Sequence, residues 1–194
     1  MTLCVDSFLD TLKRDAMLYC VWNFGNWRTS MSLAQKLERL VRIIPGVAGY
    51  QDKETSRDTD KTVRLRLTSE LERFKQNLEQ SKRQLMEKKD LSLLPALDGL
   101  ASKLDKLGNT VKYAGRGYSG VFDTYKLDQK KLDQLYSFDL KLFDQLELLK
   151  IQVKRIGETQ ADVTAFKKSI QEMEQALDQV EQLFSTRQDI LIKQ

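Results

Sequence analysis

Residues 163–184 read VTAFKKSIQEMEQALDQVEQLF, and Val163, Phe166, Ile170, Met173, Leu177, Val180 and Phe184 follow one another at unbroken steps of three and four. That heptad spacing keeps one apolar seam on one side of a helix, whereas a half-buried strand repeats every two residues. Such a helix draws most of its stability in water from burying its seam, so matching seams are expected elsewhere in the chain.

They are present. Before Gly157, a segment from roughly Thr124 to Ile156 places Leu132, Leu135, Leu142, Leu146, Leu149, Val153 and Ile156 on one face. Asp139 falls on that stripe, and Tyr136 and Phe143 add a second apolar row. Asp162 or Thr159 is suited to cap the helix that follows. The segment from Leu93 carries Leu97, Leu100, Leu104, Leu107, Val111 and Ala114 in the same alternation, with Pro95 acceptable in a first helical turn. A longer, polar segment from about Asp52 to Lys89 carries Val63, Leu67, Leu71, Phe74, Leu78 and Leu85, with Ser81 at one seam position. Consecutive long helices with short connections are expected to fold back on each other. The reading is all-α: an antiparallel coiled-coil bundle of about four long helices over residues 51–186, followed by a C-terminal tail at 187–194.

A shorter helix precedes the bundle in the region 31–50. Leu33, Leu37, Leu40, Val41 and Ile44 form one stripe, with Lys36, Arg39 and Arg42 off it, and Pro45 and Gly46 end the helix. Leu33, Lys36, Leu37, Arg39, Leu40, Arg42 and Ile44 therefore form a candidate membrane or partner surface. A basic amphipathic helix can lie in an anionic membrane interface. The plainer expectation is an outer helix packed on the bundle.

Residues 1–30 differ in composition, holding both cysteines, Cys4 and Cys20, and both tryptophans, Trp22 and Trp27. The apolar run from Ala16 to Phe24, interrupted by Asn23, is too short to span a bilayer and lacks the flanks of an export signal. Two explanations stand for this stretch: an upstream extension with translation starting at Met31, or an N-terminal helix docked on the bundle. The cysteines match no zinc or redox spacing and read as reduced thiols, which points to the cytoplasm, with the inner face of the membrane as the alternative location.

The chain has 32 Lys and Arg against 28 Asp and Glu, a formal charge of +4, and no histidine. Residues 1–90 hold 17 basic and 13 acidic side chains while 91–194 hold 15 of each, so the excess lies in the first half. This is too mild for a dedicated nucleic-acid binder, and the cations of residues 64–89 alternate with glutamates, as on a solvated face. Without histidine the commonest general base and metal ligand is missing, so no catalytic, cofactor-binding or metal-binding residues are assigned and no cofactor is expected.

Two places invite a sharper reading. Gly115-Arg116-Gly117-Tyr118-Ser119-Gly120 matches G-x-G-x-x-G literally, but no strand precedes it, so Gly115, Gly117 and Gly120 are read as a hinge between helices. Asp139 is either a buried acid suited to proton transfer or a polar residue that fixes helix register; the second reading is favoured.

The stretch Ile44-Pro45-Gly46-Val47-Ala48-Gly49-Tyr50-Gln51-Asp52-Lys53-Glu54 resembles one signature of a family of bacterial helical coiled-coil proteins. Gly117-Tyr118-Ser119-Gly120-Val121-Phe122-Asp123, with Leu132-Asp133-Gln134-Leu135-Tyr136 and Phe138-Asp139 beyond it, is similar to a second. The resemblance implies a bacterial helical protein, supplies no activity and carries over no functional residue. The expected function is a non-enzymatic scaffold or adaptor that binds protein partners or itself through coiled-coil surfaces. The alternative is peripheral membrane binding or remodelling through residues 31–44.

Overall fold

A computed structural model of the chain describes residues 31–49, 53–87, 91–114 and 129–192. Five helices run through them: α1 (Leu33–Ile43), α2 (Lys53–Glu87), α3 (Leu94–Tyr113), α4 (Gln129–Glu158) and α5 (Val163–Ile192). Among the described residues there is no strand. The proposed extension at 1–30 and the hinge glycines Gly115, Gly117 and Gly120 lie outside the described residues.

Local chemistry sets the helix ends. Ser32 and Gln35 form a capping box at the start of α1: Gln35 N donates to Ser32 Oγ at 3.4 Å and Ser32 N donates to Gln35 Oε1 at 2.9 Å. Ile44, before Pro45, is extended, and Gly46 turns the chain with φ +94°. At the start of α5 the Asp162 carboxylate accepts from the backbone N–H groups of Thr164 and Ala165, at 2.9 and 3.2 Å, the capping role its position suggests.

The seams meet in one continuous core. Leu67, Leu71, Leu78 and Leu85 of α2, Leu97, Leu100 and Leu104 of α3, Leu135, Leu142 and Leu149 of α4, and Phe166, Leu177 and Phe184 of α5 are all buried in it. Each fully buried side chain of this kind contributes on the order of 1.5–3 kcal/mol. The most extensive packing is between α2 and α3 and between α4 and α5; α2 also touches α4, α3 touches α5, and α1 lies on α4. Lys75 pairs with Asp105 and Lys82 with Asp98, both at 2.6 Å, so residue numbers rise along α2 as they fall along α3. Arg155–Glu172 and Asp139–Arg187 step in the same opposed way along α4 and α5.

Two details depart from the sequence reading. The last helix continues to Ile192, where a tail from residue 187 is expected; Arg187 is fully buried and Leu191 nearly so. Ser81, the polar member of the α2 seam, lies where the α4–α5 connection crosses. A Cβ added at Gly157 would sit 3.9 Å from its Oγ, and Gln160 Nε2 donates to its carbonyl at 3.3 Å. A small side chain at 81 leaves room for that crossing.

Candidate functional site: a charge-locked junction between three helices

Beside the start of α2, three charged residues from three helices meet inside the core. Arg187 of α5 donates from Nε to Asp139 Oδ1 of α4 at 2.5 Å and from Nη1 to Asp60 Oδ1 of α2 at 2.6 Å. The side chains of Arg187 and Asp139 are 0% exposed and that of Asp60 2%. Arg64, one turn along α2, donates from Nε to the other Asp60 oxygen at 2.8 Å. Two carboxylates and two guanidiniums sum to no net charge, which is how a buried ionic group avoids the several kcal/mol penalty of an isolated ion.

Sequence position brings these groups together. Asp139 lies on the α4 stripe, and Arg187 continues the α5 seam by a step of three from Phe184, with Leu191 four beyond it. That extension was the available signal for Arg187, which sequence reasoning assigned to the tail. An arginine on one stripe answering an aspartate on the preceding stripe was legible in principle. Both carboxylates of the cluster are engaged by guanidiniums, which stay protonated at any ordinary pH, so the arrangement is suited to fixing helix register.

Beside this lock the loop after α1 passes through a tight space. Gly49 has φ +93°, and a Cβ built there would lie 2.7 Å from Tyr136 Oη and 3.3 Å from Leu37 Cδ1. Only glycine fits both the conformation and the gap. Thr59 of α2 donates its hydroxyl to the Gly49 carbonyl at 2.9 Å. The stretch from Ile44 and the stretch from Leu132 are therefore in contact through Gly49 and Tyr136.

The surface assigned to α1 is turned inward. Leu40 and Ile44 are buried and Leu33 and Leu37 half-buried against the core, so the chain itself covers all of the apolar row except Val41, which is exposed. Lys36, read as off the stripe, is buried: its Nζ donates to Asp133 Oδ1 at 2.6 Å and to Ser137 Oγ at 2.9 Å. Lys36 lies one turn before Leu40, so its flexible stem can follow the packed face to α4 while its ammonium finds the carboxylate. Arg39 reaches Asp144 Oδ1 at 3.4 Å, and Arg42 pairs with Glu38 on the exposed side at 2.6 Å.

Among the described residues, no group of three or more acidic, cysteine or histidine side chains is placed to hold a metal ion. No described helix is long and apolar enough to cross a membrane. Compared with known families, with curated proteins and with solved structures, the chain matches none of them.

Proposed function

We propose that this chain is a non-enzymatic helical scaffold or adaptor, in which two helical hairpins form an antiparallel coiled-coil bundle that offers its outer faces to protein partners, a second copy included. The Asp60–Arg187–Asp139 lock supports this reading most directly, because its charges are matched to one another across three helices and define one alignment of those helices. A fixed alignment gives a fixed outer surface, which is what recognition by packing needs.

Crosslinking and light scattering on the purified full chain, together with affinity capture from the native host, test the proposal. A self-associating chain, or one that captures a defined stoichiometric partner, is the expected outcome. A strict monomer that captures nothing overturns the reading.

A further inference from the structure

The outward side of the α4–α5 hairpin carries a second set of heptad-spaced residues that the core does not use. On α5 the row starts at Lys168 and Glu172, runs through Gln175, Gln179, Gln182 and Thr186, and ends at Asp189. On α4 it runs from Lys141 through Gln145, Leu148 and Gln152 to Arg155. All of these side chains are exposed or half-buried, and the 3.5 Å pair between Arg155 and Glu172 sets the two rows side by side. The rows are charged at their ends and uncharged through the middle.

This segregation is unusual in a chain that is 31% charged. Two other acids of α5 are turned to a different edge: Asp178 pairs with Lys103 at 2.5 Å and Glu181 with Lys106 at 3.4 Å, both on α3. Helix α1 meets α4 through Asp133, Ser137 and Asp144, outside these rows. Depletion of charge at the centre of a patch is one compositional mark of a protein–protein interface.

We infer that this face pairs with the same face of a second copy of the chain across a two-fold axis; the inference rests on the scaffold reading and specifies its partner. Amide side chains donate and accept at once, so a face of glutamines complements itself, whereas a charged partner face would lose hydration against it with no counter-charge. The register agrees. Asp139–Arg187 and Arg155–Glu172 place Leu148 level with the 178–179 region of α5. The midpoint between Gln145 and Gln152 and the midpoint between Gln175 and Gln182 both fall at that level. A single axis crossing the hairpin there lays Gln145 against Gln152 of the second copy, Gln175 against Gln182, and the Lys168 end against the Asp189 end. It also brings Lys141 toward Arg155 of the second copy, whose charge Glu172 already balances. Isologous pairing of this kind closes as a dimer and leaves no free face to propagate.

Sedimentation equilibrium on the full chain tests the inference with two variants at the same exposed positions. The wild type is expected to dimerise at micromolar concentration. Gln175→Glu with Gln182→Glu sets like charges against each other across the axis and is expected to weaken the dimer by about tenfold or more. Gln175→Glu with Gln182→Lys sets opposite charges there and is expected to keep the wild-type affinity or improve it. A dimer indifferent to both pairs, or weakened equally by both, rejects this face and axis while leaving a self-associating scaffold in place. A monomeric wild type rejects the inference outright, and the scaffold reading then stands or falls on partner capture.

Discussion

Arg187→Met removes the group that bridges Asp139 and Asp60 in the core lock. Breaking a buried ion pair by removing one partner costs about 3–5 kcal/mol, which a lowered urea midpoint would show. Adding Asp139→Leu to that variant is expected to recover most of the loss, because Asp60 keeps Arg64 at 2.8 Å and the other two positions become apolar. Two glycines with nearly equal φ give a second contrast. Gly46, φ +94°, has open space where a Cβ would go, so Gly46→Ala is expected to cost only the left-handed penalty of about 1–2 kcal/mol. Gly49→Ala adds a clash with Tyr136 Oη and is expected to cost clearly more in the same denaturation assay. Lys82 illustrates a surface pair. Its hydrogen bond to Asp98, opposed in part by burial and helped by Glu79, holds the ammonium above its ordinary value of 10.5. The resulting stabilisation, at most ~1 kcal/mol for an exposed pair, is complete below 10.5 and lost as the pH rises through the raised folded value. The stability difference between wild type and Lys82→Met should therefore be present at neutral pH and disappear in strong alkali.

At the scale of elements, periodicity decided what could be read. The α2, α3, α4 and α5 seams were visible because three-and-four spacing is a property of the sequence alone, and most of the buried leucines are the ones that spacing selects; Leu140 and Leu191 are buried outside the stripes it marked, and Val163, the first member of the α5 seam, is exposed. Helix ends were legible where a residue's own chemistry fixes them, as at Ile44 before Pro45 or at the Asp162 cap. The end of α5 was not, because a polar residue on a seam normally reads as its end, and only the distant carboxylates of Asp139 and Asp60 make Arg187 an interior residue. The docking side of α1 was likewise half legible: the leucines declared it, but Lys36 joins that face only because Asp133 and Ser137 wait on α4. With α1 seated in this way, wild-type protein is expected not to float with anionic liposomes. Reversing the receiving charges, with Asp133→Lys and Asp144→Lys, should unseat the helix and is the condition under which flotation would first be seen. Flotation of the wild type would instead show that α1 leaves α4 readily and would move membrane binding ahead of the scaffold reading.

For the whole molecule, pairwise partnership was readable from short connections, but the placing of one hairpin against the other was not. That placing depends on contacts with no local signature, such as Gln160 on the Ser81 carbonyl and Thr59 on the Gly49 carbonyl. Composition said little about partners, because the +4 excess, carried in the first half of the chain, lies among side chains of both signs. The lock between Asp60 and Arg187 has a consequence in time as well as in space. Its two ends are separated by 127 positions, so during folding α2 must present a carboxylate to a core whose counter-charge arrives only with the last helix. Closing so long a loop is entropically costly, and such contacts tend to form late. Stopped-flow kinetics on Arg187→Met should then show faster unfolding with nearly unchanged refolding, the pattern of a bond made after the rate-limiting step.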